Sequence, residues 1–205
     1  MSLFPMFLKL EGRRCLVVGA GHVASSKIES LLAAGADLTV VAPRTVHRID
    51  EWIRQGRLSW VPHEFLPDDL EGVFLVIGAT AREEIDAAVY LEASKRGILC
   101  NVVDDPVRCD FYFPAVVRRG DLQIAISTGG QSPALAMRLR RELEAQFGPQ
   151  YKDWLLHLGN ARRRLLEMPM DAERRLTILH DLASPEGLLE FLSEHPSIEA
   201  GGKPA

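Results

Sequence analysis

Three features of the sequence predict an α/β protein whose core is a doubly wound parallel sheet. Short apolar runs alternate with stretches of helical spacing through residues 1–113, as strands buried on both faces require. The first run leads directly into glycines and then a helix, the local order in which a glycine turn can hold a ligand. After residue 113 the pattern changes to polar–apolar alternation and then to helices. We therefore expect a Rossmann-like domain over 1–113 and a small α+β dimerisation domain over 114–150. A helical region over 151–205 follows, with a disordered tail from 200.

Cys15, Leu16, Val17 and Val18 read as a buried strand; Val23, Ala24, Ile28, Leu31 and Leu32 then recur at helical spacing, with Gly35 at the stop. Between them lies a G-x-G-x-x-A pattern. Gly19 permits the tight turn, Gly21 lets a pyrophosphate approach the backbone, and Ala24 allows close helix–strand packing. The free N–H groups of the helix start would hold the phosphates, with His22 and Val23 bordering them. The second strand, 38–42, ends in Val41, Ala42, Pro43 and Arg44, without the acidic residue that commonly binds a ribose there. Ribose recognition then falls to backbone groups of Ala42, Pro43 and Arg44, and Arg44 keeps a 2′-phosphate open, so the motif does not separate NAD from NADP.

A helix over 46–55, a short strand over 58–61 and a strand over 73–78 follow. Ala79 and Thr80 open a helix near 82–96 that Gly97 stops, and 99–103 is the fifth strand. Ligands of such sheets bind beyond the carboxyl ends of the strands, here residues 19–23, 42–44, 78–80 and 101–105. Further on, 115–117 and 122–127 flank Arg118, Arg119, Gly120 and Asp121, a hairpin signal, with Leu122, Ile124 and Ile126 on the buried face. Thr128, Gly129, Gly130 and Gln131 make a turn; Ser132 caps a helix with Pro133 at its first position, and that arginine-rich helix runs to about 147. Residues 151–183 read as helical, with Trp154, Leu155, Leu158, Leu165 and Leu166 on the apolar side, and Ser184 opens a last helix over 188–192.

Composition narrows the function. A net charge of −4 argues against nucleic acid as a bulk partner. No apolar run approaches the ~20 residues of a membrane span, and the N-terminus lacks the pattern of a signal peptide. Three cysteines without C-x-x-C spacing fit reduced thiols of the cytoplasm, with no disulfide frame and no metal site.

Asp104, Asp105 and Pro106 end the fifth strand at the ligand edge. A carboxylate there can act as a general base, its pKa raised by a neighbouring carboxylate and partial burial; an Asp-Pro turn is the alternative. His47 and His63 read as loop or surface residues. Tyr90 and Lys95 are one residue too far apart for a Tyr-x-x-x-Lys pair, which moves the lysine about 100° around a helix.

Four stretches carry a family resemblance: residues 7–21, residues 34–43, Cys100-Asn-Val-Val-Asp-Asp-Pro106, and Ile126-Ser-Thr-Gly-Gly-Gln-Ser-Pro-Ala-Leu-Ala136. In order and spacing the sequence resembles the precorrin-2 dehydrogenase family, the stand-alone form of the dehydrogenase/ferrochelatase module of sirohaem synthase. The resemblance implies NAD-dependent oxidation of precorrin-2 to sirohydrochlorin in a homodimer, with insertion of Fe²⁺ or Co²⁺ as an optional second activity. It implies Asp104 as catalytic base and cofactor contacts at His22, Val23, Pro43 and Arg44, to which Gly19, Gly21, Ala42 and Thr80 are added from the ligand edge. Thr128 occupies the position of a serine that is phosphorylated in some members. The polycarboxylate substrate calls for cations and open helix N-termini, which Arg118, Arg119, Arg138 and the turn of Thr128, Gly129, Gly130 and Ser132 can supply. The sequence departs from the family at Ala20, in place of a common glycine, and at Ser26, where an arginine usually precedes Lys27. Two other functions compete: a dimeric NAD(H)-binding redox sensor without catalysis, and a methyltransferase using the glycine turn for S-adenosylmethionine. The missing acid after the second strand counts against the latter.

Overall fold

The structure, a computed structural model, describes residues 3–196 and 198; the expected disordered tail lies outside them. The chain forms two compact units, residues 4–113 and the chain from Pro114 onward.

In the first unit, strands β1 (Arg14–Val18), β2 (Asp37–Val41), β3 (Ser59–Val61), β4 (Leu75–Gly78) and β5 (Leu99–Val102) form one parallel sheet in the order β3-β2-β1-β4-β5. Helices α1 (His22–Ala33), α2 (His47–Arg54) and α3 (Glu83–Arg96) connect them. Successive strand residues face opposite sides of a sheet, and both sides are filled here. Cys15, Val17, Leu38, Val40, Leu75 and Ile77 pack with Ile28 and Leu31 of α1 and Ile49 and Trp52 of α2. Leu16, Val18, Val41, Val76, Cys100 and Val102 pack with Val89 and Ala93 of α3. The strand order reverses between β1 and β4, which places a crevice at their carboxyl ends.

In the second unit, β6 (Ala115–Arg119) pairs antiparallel with β7 (Leu122–Ile126). Arg119 pairs with Leu122, so Arg118 and Arg119 belong to a strand and the loop is only Gly120 and Asp121. Gly120 takes φ +61, the sign that a two-residue hairpin loop asks of its first position. Helix α4 (Pro133–Gln146) starts as the sequence predicts: the Ser132 hydroxyl accepts from the Leu135 N–H at 3.2 Å, with Pro133 first in the helix. Arg119 donates to the carbonyls of Phe147 (2.7 Å) and Glu144 (2.9 Å), capping the far end of α4.

The helix expected over 151–183 is two, α5 (Tyr151–Glu167) and α6 (Ala172–Leu182). Pro169 explains the break: it lacks an N–H and pushes its predecessor out of helical geometry, and Met168 has ψ 139°. Asp171 then caps α6 by accepting from the Arg174 N–H at 2.8 Å. On α5 Trp154 and Ala161 are buried, whereas Leu166 is half exposed. Ser184 caps α7 (Pro185–Glu194), longer at both ends than expected. The hairpin, α4 and the later helices fall in one compact unit, where the sequence reading divides them at residue 150.

Candidate functional site

A cavity of about 620 Å³ opens in the first unit at the carboxyl ends of the sheet. Nine of the expected residues line it: Gly19, Gly21, His22, Val23, Ala42, Pro43, Arg44, Thr80 and Asp104. The other six, Arg118, Thr128, Gly129, Gly130, Ser132 and Arg138, belong to the second unit.

The glycine turn is built by two different demands. Gly19 has φ +104, and a methyl group on it would stand 2.3 Å from the Ala79 carbonyl oxygen. It is needed both for the turn and for close approach of the next loop. Gly21 has an extended backbone that any residue adopts, and a side chain on it would project into open space. What its hydrogen keeps clear is room above the start of α1. That helix start has no side-chain cap and no acidic residue in its first turn, so its N–H groups and positive dipole end remain for an anion. These features fit the pyrophosphate of a dinucleotide. Val23, placed by spacing on the apolar stripe of α1, is half exposed at the cavity.

At the end of β2, both backbone groups of Ala42 are already used. Its N–H donates to Val61 and its carbonyl accepts from the Trp60 indole at 2.9 Å. Pro43 has no N–H, so of the backbone groups expected over 42–44 there remain the Arg44 N–H and the carbonyls of Pro43 and Arg44. Arg44 is exposed at the cavity wall.

The two aspartates after β5 divide the roles expected of them. Asp105 makes the Asp-Pro turn: it accepts from the Val107 and Arg108 N–H groups and pairs with the Arg108 guanidinium at 2.8 Å. Asp104 takes the left-handed conformation at φ +61 and is exposed at the cavity. It has no hydrogen-bond or ion-pair partner among the described residues. The partial burial expected for it is absent, because the turn lifts it away from the sheet. Asn101, grouped with it at the ligand edge, is instead buried, its amide donating to the Phe111 carbonyl at 2.7 Å. Lys27 lies over the Phe113 ring, 4.0 Å from its centroid. Burial pushes its amine down, with Asp104 and Cys109 opposing that shift.

Sequence reasoning missed part of the lining: His63, Glu64 and Phe65 after β3, and Arg82 and Asp86 around the start of α3. The signal was available for the first group, since the carboxyl end of β3 is also a ligand edge. Arg82 is held by Glu64 at 2.6 Å and Glu84 at 3.0 Å. Asp86 is buried at 7% exposure; burial raises its pKa above the ordinary 3.8, with hydrogen bonds from Thr80 opposing.

In the second unit, Arg118 is exposed, Arg138 pairs with Glu142 at 3.2 Å, and Arg119 is committed to capping α4. Thr128, half-buried, accepts from the Ser132 N–H at 3.2 Å, and Gly129 and Gly130 both have positive φ. Among the described residues no three His, Cys, Asp or Glu side chains are grouped to hold a metal ion, and no helix is long and apolar enough to cross a membrane.

A parallel sheet in this order with an uncapped glycine turn at its switch point defines a dinucleotide-binding protein of the Rossmann type. The chain belongs to the family described as "Putative NAD(P)-binding", whose model matches residues 6–115. A second model, "Sirohaem biosynthesis protein central", matches residues 119–146. Siroheme synthase 2 of Yersinia enterocolitica serotype O:8 is 44% identical over 200 residues, which are 97% of this chain and 42% of that protein. Siroheme synthase 2 of Yersinia pseudotuberculosis serotype O:1b is 38% identical over 201 residues, 98% of this chain and 42% of that protein. The chain thus spans about two fifths of the length of these curated relatives. Among solved structures, that titled "SirC, precorrin-2 dehydrogenase" superposes with a TM-score of 0.78 at 29% identity, covering 97% of this chain and all of that one. The family resemblance drawn from the four motifs agrees with these relatives.

Proposed function

We propose that this chain catalyses the NAD-dependent dehydrogenation of precorrin-2 to sirohydrochlorin in sirohaem or cobalamin biosynthesis. One observation carries the reading: the unpartnered carboxylate of Asp104 and the uncapped start of α1 border the same cavity. The similarity to a precorrin-2 dehydrogenase over nearly the whole chain supports it. When bound, the oxidised nicotinamide supplies the acceptor for the hydride that leaves the macrocycle. The chain's own part is to remove the accompanying proton, and Asp104 is the base. His22, Val23 and Thr80 shape the walls beside it, and Gly19 and Gly21 keep the phosphate end clear.

NAD is the cofactor we assign. Arg82 is occupied by Glu64 and Glu84, so its charge is already taken up and it offers little to a further phosphate. Arg44 is the group that a 2′-phosphate would use, so cofactor preference in Arg44→Ala tests the assignment. The substrate's carboxylates fall to Arg118, Arg138 and the turn of Thr128, Gly129, Gly130 and Ser132. The hairpin and α4 serve dimerisation, because a two-stranded sheet with a half-buried apolar face is marginal without further packing. Fe²⁺ or Co²⁺ enters as a substrate if a second, chelatase activity is present.

The test is an anaerobic spectrophotometric assay with precorrin-2 and NAD⁺, followed by addition of Co²⁺ or Fe²⁺. NADH and sirohydrochlorin form together if the reading is right, and a metal-dependent spectral shift above the uncatalysed rate adds the chelatase. NAD binding without NADH formation would overturn the dehydrogenase.

A further inference from the structure

Asp86 lies on α3 and carries a carboxylate that the proposed mechanism does not use. Its side chain turns back over the end of β4. Oδ1 accepts from the Thr80 N–H at 3.3 Å and lies 2.9 Å from where a methyl group on Gly78 would stand. Gly78 is therefore the residue that leaves room for the carboxylate. The turn it supports, residues 79–82, is otherwise held locally. The Thr80 hydroxyl accepts from the Arg82 N–H at 3.1 Å, and Ala81 sits at φ +57, a left-handed conformation that L-residues disfavour.

This turn joins the two halves of the cavity. The Ala79 N–H donates to the Val18 carbonyl at 2.8 Å, and the Val103 N–H donates to the Gly78 carbonyl at 2.9 Å. Ala79 also presses its carbonyl against Gly19. A shift of residues 78–80 thus moves the glycine turn on one side and the strand end that carries Asp104 on the other.

We propose that Asp86 is a positioning residue that sets the 79–82 turn, and through it the spacing between the phosphate cradle and Asp104. The inference rests on the cofactor and base assignments above. What the turn requires of Asp86 is one acceptor oxygen in a buried place, not a negative charge. The raised pKa agrees, since burial works against the charged form. Asparagine keeps that oxygen; alanine does not.

The experiment compares wild type, Asp86→Asn and Asp86→Ala in the full chain. Calorimetry gives NAD⁺ affinity, and steady-state assay gives kcat and the separate KM values for NAD⁺ and precorrin-2. We expect Asp86→Ala to bind NAD⁺ roughly tenfold more weakly, about the loss of one buried hydrogen bond, and to lower kcat as well. The KM for precorrin-2 stays within twofold, and Asp86→Asn restores both lost properties to within about threefold. If Asp86→Ala does not fold, Gly78→Ala/Asp86→Ala replaces it, because the new methyl group occupies part of the vacated space. Wild-type-like affinity and kcat in the folded alanine variant overturns the proposal, as does an asparagine variant as impaired as alanine. Wild-type protein that binds no dinucleotide would instead remove the functional reading beneath it, an outcome separate from either.

Discussion

Asp104 is an acidic residue held where most side chains are strained, and this decides how to test it. Asparagine tolerates positive φ better than most residues, so Asp104→Asn removes the base with little change to the turn. We expect its turnover to fall by about 10²–10⁴-fold, the usual worth of a general base, while calorimetric NAD⁺ affinity stays within twofold. Turnover close to wild type would show that another group takes the proton. Gly21→Asp works the other way: its carboxylate enters the space kept open above α1, opposing the pyrophosphate by bulk and charge. Binding of NAD⁺ should drop below detection with the melting temperature little changed, and retained affinity would misplace the cofactor. The place of both residues at the cavity was legible in the sequence, since a glycine turn and a strand-end aspartate announce themselves by position. Asp86 was not. In a run of Glu83, Glu84, Ile85 and Asp86 at a helix start, an acidic residue reads as dipole compensation on a solvated face. Only the fold reveals that this one turns inward to meet Thr80.

Elements were legible where local chemistry decides them and less so where it does not. The five parallel strands and α1–α3 follow from apolar runs and glycine stops, each within a residue or two of the expected ends. The break between α5 and α6 was there to read in Pro169, but apolar spacing on both sides masked it. The pairing of Arg119 with Leu122 was harder, because a strand and a loop can share the same arginines until register is known. The contact between the β1 and β4 loops is invisible to any local pattern, since it depends on sheet order. It yields a specific expectation. Gly19→Ala combines a positive φ with a methyl group 2.3 Å from the Ala79 oxygen, so urea unfolding should report a loss of about 2–5 kcal/mol. A loss under 1 kcal/mol would mean that the two loops separate freely. Ser132→Ala should cost only about 1 kcal/mol by the same method, the worth of an N-cap.

At the scale of the whole molecule, the sheet burial that makes the first unit stable also places ionisable groups where charge is disfavoured. Cys15 and Cys100 are pushed up to about 11 and about 12 by burial, so they stay neutral across the working range. Asp86 is different, because its shift starts from the ordinary carboxylate value of 3.8. Its folded-state pKa is raised above the ordinary 3.8 by burial, with Arg108 opposing and Glu84 reinforcing the shift. Between the ordinary value and the raised one, the folded protein holds more protons at this site than the unfolded chain does. Its contribution to stability is therefore full below the ordinary value and is lost as pH rises through the raised one. Asp86→Asn has no such titration. Urea melts of the two proteins from pH 3.5 upward should show wild type losing stability relative to Asp86→Asn as pH rises, with the difference constant once Asp86 is fully ionised. A difference independent of pH, or one that changes in the opposite sense, would mean that the Thr80 bonds outweigh burial and that Asp86 rests comfortably as an anion.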